Sequence, residues 1–263
     1  MLCAISRNRE LKAGQSAEAE DHRFYSTVNV TYEAIVLAGG FGRRLRDVVA
    51  EVPKPMAPIV GKPFLTLLLE FLAKQGIRRV ILCVGYLREV IIDHFGKRFG
   101  PLEIVYSIED EPLGTGGAIA QALKTVQSQN VFVLNGDTFL KVNYRGMELA
   151  HVNARSTLTI AVREVPDVSR YDEIIMESER IVDVRPAQRG RPGLINGGVY
   201  LMASDLFVGL ELPLHFSFER EFLRPYVSCV SPIAFRVQDY FIDIGVPDDY
   251  RRAQLELPAQ ANR

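Results

Sequence analysis

A stretch rich in glycine and arginine follows the first apolar run of the chain and is suited to holding phosphate groups. Glycines let a backbone turn sharply and bring its N–H groups close to phosphate oxygens, and arginines neutralise phosphate charge. The stretch has neither the Walker A spacing nor the G-x-G-x-x-G fingerprint, which disfavours a P-loop or an ordinary dinucleotide site. A tight strand-to-helix turn is the simpler alternative. The residues expected to bind a triphosphate are Leu37, Ala38, Gly39, Gly40, Gly42, Arg43 and Arg44.

Three more charged residues occur in sequence contexts that could place their side chains near the same phosphates. Lys54 lies between two prolines, which restrict its backbone and can orient its ammonium group. Asp137 follows a buried apolar run, and Asp243 lies between apolar residues before a glycine. Carboxylates at the ends of strands in open α/β sheets face the ligand crevice and suit Mg²⁺. The alternatives are a solvated loop lysine and two aspartates that cap turns.

The elements that must position these residues follow from an alternation of apolar runs and amphipathic stretches after residue 31. This alternation predicts strands joined by crossover helices, and hence an α/β fold with a mainly parallel, covered sheet. We expect one domain of two lobes over residues 32–258, a mobile extension at 1–31 and a tail at 259–263. Strands are predicted at 33–38, 79–84, 102–107, 131–135, 157–165, 173–177, 181–184 and 198–202, and helices at 64–75, 87–99, 116–126 and 144–154.

Composition argues against several classes of partner. The chain has 263 residues, 48% of them hydrophobic, and a formal net charge of -1, so nothing favours a nucleic acid or an anionic membrane. No apolar run approaches the roughly 20 residues of a membrane span, and the first 30 residues lack a secretory signal. The 3 cysteines are widely spaced and resemble neither a disulfide framework nor a metal site. We therefore expect a soluble, cytoplasmic protein.

The order A-G-G-x-G-x-R-L followed by P-K-P resembles the signature of the sugar-1-phosphate nucleotidylyltransferases, and the resemblance covers nearly all of the chain after residue 32. It implies a Rossmann-like three-layer nucleotidyltransferase fold with a smaller, strand-rich sugar-binding lobe. It also implies an enzyme that joins a nucleoside triphosphate to a sugar 1-phosphate with Mg²⁺. The resemblance assigns the phosphates to Arg44 and Lys54 and the metal to Asp137 and Asp243. Position 43 departs from the usual threonine, and Arg43 keeps the local charge positive.

The residue expected to select the base is Glu109. It precedes Gly114 and Thr115 at a position where relatives that use pyrimidine nucleotides commonly have glutamine. A carboxylate accepts both the N1–H and the exocyclic N2–H of guanine, whereas uracil and thymine offer one donor on that edge. The resemblance and this chemistry favour GTP, with Gly114 and Thr115 also at the nucleotide. A solvent-facing loop acid is the alternative.

The sugar side is expected to involve Asn196, Gly197 and Glu219, which match segments that contact the sugar in the family. A turn into a strand and a helix cap would select similar residues. Arg185 stands where relatives have a lysine that faces the sugar phosphate, and Val184 replaces a glutamate that faces the sugar. The sugar pocket should therefore differ from that of hexose-specific relatives.

The segments D-E-P-L-G-T-G-G and L-I-N-G-G-V-Y-L most resemble the corresponding segments of the bacterial D-glycero-D-manno-heptose 1-phosphate guanylyltransferases. Mannose-1-phosphate guanylyltransferases and N-acetylmuramate-1-phosphate uridylyltransferases are the alternatives within the family. A nucleotide-sugar sensor or regulatory subunit without turnover is an alternative of another class. Retention of both Asp137 and Asp243 argues against it, and the residues at 184 and 185 are its best support. A homo-oligomer is compatible with all of these alternatives.

Overall fold

The computed structural model describes residues 31–40, 52–186 and 190–261, which form an α/β structure. Arg43 and Arg44, and the predicted extension apart from Thr31, lie outside the described residues. The strands are β1 Glu33–Leu37, β2 Pro58–Ile59, β3 Lys62–Pro63, β4 Arg79–Val84, β5 Arg98–Phe99, β6 Leu102–Ile108, β7 Asn130–Asn135, β8 Thr138–Leu140, β9 Leu158–Val165, β10 Glu173–Glu177, β11 Arg180–Arg185, β12 Gly193–Ala203, β13 Ile233–Arg236 and β14 Phe241–Asp243. The helices are α1 Phe64–Lys74, α2 Arg88–Phe95, α3 Gly114–Leu123, α4 Tyr144–Asn153, α5 Arg224–Val230 and α6 Pro247–Ala261, with a π-helical segment Phe218–Leu223 leading into α5.

In the described part of the chain, one ten-stranded mixed sheet has the order β10-β11-β13-β9-β12-β7-β1-β4-β6-β5. Strands β7, β1, β4 and β6 pair in parallel. Strand β12 pairs antiparallel with both β7 and β9, whereas β13 joins β9 in parallel. The predicted parallel arrangement therefore holds for the first-half strands, while the strand-rich second half extends the same sheet mainly by antiparallel pairing.

Helices cover both faces of this sheet, which explains why its middle strands are nearly continuous apolar runs. In β1, Ala34 and Val36 pack into a core shared with α1, α4 and α6. Ile35, between them, packs into a second core with α3 and the 218–230 helical region. Because successive strand residues face opposite sides, this alternation produces a helix–sheet–helix arrangement of three layers.

Several predicted elements differ from the observed ones at their ends. The helix predicted over 87–99 is shortened to α2 because Gly96 takes a φ of 56° and ends it. The residues that follow pair with β6 as the short β5 instead. Helix α3 begins at Gly114 rather than at 116, which places its first turn at the predicted base-binding loop.

Helix α6 runs past residue 258, where the domain was expected to end. Leu257 and Ala261 are buried, and Lys74 Nζ at the end of α1 donates to the carbonyl of Ala261 at 2.9 Å. These residues thus belong to the packed structure. Among the described residues, no helix is both long enough and apolar enough to cross a membrane.

Candidate active site

A cleft of about 570 Å³ opens at the sheet edge where the parallel strands end. Gly39 follows β1, Glu109 follows β6 and Asp137 follows β7, and all three line the cleft. This is the edge at which open α/β sheets bind their ligands. The predicted residues that line it are Leu37, Gly39, Gly40, Lys54, Glu109, Gly114, Thr115, Asp137, Asn196, Gly197, Glu219 and Asp243.

The other predicted residues are placed differently. Ala38 is buried, and its N–H donates to the carbonyl of Cys83 at 2.9 Å. Gly42, Arg43 and Arg44 lie outside the described residues, so their roles stay predictions. Arg185 does not line the cleft.

Lys54 lies between two carboxylates of the cleft, those of Asp137 and Asp243. Its Nζ donates to Asp137 Oδ2 at 2.5 Å and lies 3.5 Å from Asp243 Oδ1. The Lys54 side chain is only 12% exposed, and it starts a short 3-10 turn whose next two residues, Pro55 and Met56, are buried. The buried turn therefore anchors the lysine, as the flanking prolines predicted.

Asp137 and Asp243 are brought together by a small antiparallel ladder between β8 and β14. Thr138 pairs with Asp243 in this ladder, and the N–H of Ile244 donates to the carbonyl of Asp137 at 3.1 Å. The N–H of Gly245 donates to Asp243 Oδ1 at 2.8 Å. Residues far apart in the sequence thus share one cleft. Lys54 is mostly buried and is not a solvated loop lysine, whereas Asp243 also makes the turn-capping contact that the simpler alternative predicted.

The two carboxylates fit a divalent metal ion by their chemistry. Burial raises the pKa of Asp243, and the neighbouring Asp137 carboxylate raises it further, while Lys54 opposes the shift. A bound cation would relieve this repulsion. Mg²⁺ commonly takes one or two carboxylates and completes its octahedron with phosphates and water. Among the described residues no group of three or more His, Cys, Asp or Glu residues is arranged around a metal position, so the nucleotide would have to supply ligands.

Glu109 is partly buried in the cleft, in contrast to Asp110 beside it. Burial raises the pKa of Glu109, and the N–H of Leu113, which donates to Oε2 at 3.1 Å, opposes the shift. A Cβ added at Gly39 would lie 2.9 Å from Glu109 Oε1. Gly39, in the predicted phosphate-binding loop, therefore lies close to the predicted base-selecting residue, and glycine at 39 leaves room for the carboxylate.

The start of α3 packs closely against residues 214–216. Gly114 has a φ of 73°, and a Cβ there would lie 2.6 Å from the carbonyl oxygen of Phe216. The N–H of Gly116 donates to the same oxygen at 2.9 Å. Glycine at 114 thus serves both the left-handed conformation and the close approach of two backbones.

A chain of hydrogen bonds connects the predicted sugar-binding residues. Asn196 Nδ2 donates to the Tyr200 hydroxyl at 2.6 Å, and that hydroxyl donates to Glu219 Oε1 at 3.1 Å. Thr115 Oγ1 donates to Glu219 Oε2 at 3.0 Å. Glu219 therefore contacts both Thr115, predicted to lie at the nucleotide, and the residues predicted to bind the sugar. Ser217 caps the π-helical segment by accepting from the N–H of Arg220, so the capping role belongs to the serine and not to Glu219.

Sequence reasoning did not single out Tyr200 or the aromatic residues Tyr171 and Phe241, which line the cleft. The pair of glycines in β12 carried a usable signal, because glycines within a strand often mark a bulge. The register of β12 against β9 does shift between Asn196 and Tyr200, and Gly198 has a φ of 73°. This irregularity in the strand allows the side chains of Asn196 and Tyr200 to form their hydrogen bond.

Arg185 lies near the edge of the sheet, at the end of β11. Its Nε lies 2.8 Å from Asp183 Oδ2, and its side chain is 50% exposed. Val184 is buried, so the following residue in the strand faces the opposite side. The sequence-based role of Arg185 at the sugar phosphate thus gains no support from the geometry.

Known proteins resemble this chain over most of its length. The Nucleotidyl transferase family profile matches residues 33–260. The chain is 45% identical to the D-glycero-alpha-D-manno-heptose 1-phosphate guanylyltransferase of Aneurinibacillus thermoaerophilus, over 86% of this chain and 98% of that protein. It is 44% identical to the enzyme of the same name from Campylobacter jejuni, over 83% and 96% of the two chains.

Among solved structures, HddC from Yersinia pseudotuberculosis complexed with GMP-PN has a TM-score of 0.76 and 38% identity, with 86% of this chain and 99% of that one covered. The matched region includes all the described residues that line the cleft. The extent of the family match and the identity to full-length relatives lead to one conclusion: the chain belongs to the nucleotidyl transferase family.

Proposed function

We propose that the protein transfers GMP from GTP to D-glycero-D-manno-heptose 1-phosphate and releases pyrophosphate. The observation that carries the proposal is the convergence of Lys54, Asp137 and Asp243 in the cleft that also holds Glu109. This arrangement offers a lysine and two carboxylates for phosphates and a metal ion, and a partly buried carboxylate for a base. The relatives named for this reaction at 44–45% identity support the choice of substrates.

In the proposed reaction, a phosphate oxygen of the sugar 1-phosphate attacks the α-phosphorus of GTP. A new P–O–P bond forms, the bond from the α-phosphorus to the oxygen bridging to the β-phosphate breaks, and pyrophosphate leaves with that electron pair. The nucleophile is already an anion, so no protein base is needed. Repulsion between anions is the main obstacle, and Lys54 reduces it from a preorganised, mostly buried position.

Asp137 and Asp243 would hold Mg²⁺, which would neutralise charge on the phosphates and the departing pyrophosphate. Lys54 would remain beside both carboxylates and bind phosphate oxygens. From the family resemblance we also propose that Arg43 and Arg44, with the glycine loop of residues 39–42, bind the outer phosphates. Holding the two substrates in line lowers the activation barrier further, because the orientation of reactants can contribute up to roughly 7–11 kcal/mol.

Guanine is proposed to lie against Glu109, with both of its edge donors accepted by the carboxylate. The partly buried setting strengthens such charged hydrogen bonds relative to water. Gly114 and Thr115 line the same part of the cleft. Asn196 and Glu219 are proposed to bind sugar hydroxyls, because their amide and carboxylate groups line the other end.

A pyrophosphate-release matrix tests the proposal. GTP, UTP, CTP and ATP are each paired with heptose, mannose and N-acetylmuramic acid 1-phosphates, with Mg²⁺ present. The largest kcat/KM is expected for GTP with the heptose 1-phosphate. A preference for mannose 1-phosphate, or for UTP with N-acetylmuramate 1-phosphate, would select the corresponding alternative enzyme. No release from any pair, in a protein that still binds nucleotide, would favour the sensor.

A further inference from the structure

A second cation lies beside the active-site carboxylates. Arg170 belongs to the 166–172 segment that connects β9 to β10, and its Nη2 lies 3.9 Å from Asp243 Oδ2. Lys54 Nζ lies 3.5 Å from the other carboxylate oxygen, Oδ1. Asp243 therefore has a cation near each of its oxygens, and both cations are close to the proposed phosphate position.

Arg170 has hydrogen-bond donors left for a ligand. Its Nη1 donates to Asp249 Oδ2 at 2.6 Å, whereas 3.9 Å from Nη2 to Asp243 is too long for a hydrogen bond. The guanidinium lies over the ring of Tyr171, 5.3 Å from its centroid, and Tyr171 lines the cleft. The Arg170 side chain is 43% exposed. Arg170 does not itself line the cleft, but its neighbours Tyr171 and Asp243 do, so an anion bound beside Asp243 would lie near its guanidinium.

Other nearby arginines are less suitable for this role. Arg185 pairs with Asp183 away from the cleft lining. Arg163 lies over the ring of Phe241, yet its Nη1 already donates to the carbonyls of Gln238 and Asp239. Among the described arginines, Arg170 is the one within 4 Å of an active-site carboxylate.

We infer that Arg170 binds the phosphate of the sugar 1-phosphate together with Lys54. The inference rests on the proposed function, in which the sugar 1-phosphate is the second substrate, and it assigns a binding residue to that substrate's phosphate. Asp249 holds the guanidinium through Nη1 and leaves Nη2 available for the phosphate of the sugar 1-phosphate. Guanidinium groups suit phosphate because their planar donors can bind two oxygens at once.

The competing explanation is purely structural. Arg170 would then only attach the 166–172 segment to the start of α6 through Asp249. This explanation predicts that removing Asp249 has the same effect as removing Arg170. The phosphate-binding role predicts that Arg170 matters even when the ion pair to Asp249 is absent.

The test compares four variants of the full-length chain. Arg170→Gln should raise the KM for the sugar 1-phosphate at least about tenfold while the KM for GTP stays within about twofold, since one charged hydrogen bond is lost. Asp249→Asn keeps the cation and should have a clearly smaller effect. Arg251→Gln is the matched control, because Arg251 also makes a 2.6 Å ion pair, to Asp248, on the solvent-exposed side of α6. Arg185→Gln tests the rival residue.

Calorimetric titration of each variant with the sugar 1-phosphate alone measures binding without turnover. If the wild type binds the sugar phosphate but makes no nucleotide sugar, the proposed function fails, and the loss of binding in Arg170→Gln still decides the inference. Equal effects of Arg170→Gln and Asp249→Asn would overturn the inference, and so would a larger effect of Arg185→Gln. Unchanged affinity in Arg170→Gln would also overturn it.

Discussion

The proposed nucleotide end and the proposed sugar end of the cleft are built in different ways. At the nucleotide end, Gly39, Glu109 and Asp137 each follow a parallel strand, so the sheet itself brings them together. At the sugar end, Asn196 and Glu219 come from a bulged antiparallel strand and a helical segment, joined through the Tyr200 hydroxyl. Backbone pairing thus organises one end, and side-chain contacts between distant segments organise the other.

This difference indicates how substrate specificity can change within the fold. Residues placed by the strand ends are hard to move without altering the sheet, so the phosphate chemistry should be robust. Residues held by hydrogen bonds between segments can be exchanged in small sets. Substitutions at the nucleotide end should therefore impair the reaction with every sugar phosphate, whereas substitutions at the sugar end should change mainly the KM for the sugar phosphate.

The largest effect is expected from Asp137→Asn. It removes one of the two carboxylates proposed for the metal and leaves Lys54 with Asp243 alone, so kcat/KM should fall by roughly 10²–10³ or more. Asp137 is 37% exposed, so the thermal unfolding midpoint should change little. Pyrophosphate release with each sugar phosphate measures the loss.

Asp110→Asn is the control for this substitution, because Asp110 is 90% exposed and pairs with Arg88 outside the cleft lining. It should leave kcat/KM unchanged. If the folded Asp137→Asn variant kept turnover within about threefold of the wild type, Asp137 would have no essential role in the reaction. A loss confined to one sugar phosphate would contradict the distinction between the two ends.

The second largest effect is expected on base selectivity. Glu109→Gln replaces one acceptor with an amide donor, so the ratio of kcat/KM for GTP over UTP should fall by roughly 10- to 100-fold. The Gln carbonyl can still accept from the N–H of Leu113, so folding should persist. Glu111→Gln, at an exposed neighbouring position, should leave the ratio unchanged. An unaltered ratio in Glu109→Gln would discard the base assignment.

Tyr200→Phe tests the sugar end with a smaller expected effect. It removes the hydroxyl that accepts from Asn196 and donates to Glu219. The loss of about 1 kcal/mol should raise the KM for the sugar phosphate about fivefold and leave the KM for GTP unchanged. Steady-state kinetics with each substrate varied in turn would measure both constants.

Tyr144→Phe is the matched control for the buried tyrosine. The Tyr144 hydroxyl is also buried and has no hydrogen-bond partner within the described residues, so its removal should leave both KM values unchanged. If Tyr200→Phe raised the KM for GTP as much as that for the sugar phosphate, the hydroxyl would serve the whole cleft. The proposed division between the ends would then be wrong.

The parts of the fold that could be predicted are those with long apolar runs. The bounds of β4 and β10 were predicted as observed. Strands β8 and β14 have three residues each, too few for a periodic signal, yet their pairing brings Asp137 and Asp243 together. The resemblance to known enzymes indicated that these aspartates act together, and the ladder supplies the physical reason.

Side-chain direction was harder to predict than element identity. Arg185 was assigned from its place in a motif, but Val184 is buried, so the strand places Arg185 away from the cleft lining. Arg170 lies in a connecting segment without periodicity, and only the fold brings it near Asp243. Contacts that depend on which segments meet, and on the face each residue occupies, require the three-dimensional structure.

The smallest effect is expected from pH, and it again concerns the nucleotide end. Burial raises the pKa of Glu109 above its ordinary 4.5, so this carboxylate takes up a proton at a higher pH than an exposed glutamate does. The protonated form can no longer accept both guanine donors. The KM for GTP should therefore rise severalfold as the pH falls from neutral into the raised titration range, and it should recover as the pH returns to neutral.

GTP has phosphates that titrate too, so the wild type must be compared with Glu109→Gln at each pH. The amide does not titrate, and the ratio of the two KM values isolates the carboxylate. The same ratio taken for the sugar phosphate should not change with pH, because its phosphate and the groups proposed to bind it are the same in both proteins, and burial raises the pKa of Tyr200 well above its ordinary value. A ratio that does not change with pH, with circular dichroism showing a folded protein throughout, would mean that ionised Glu109 is not what recognises the base.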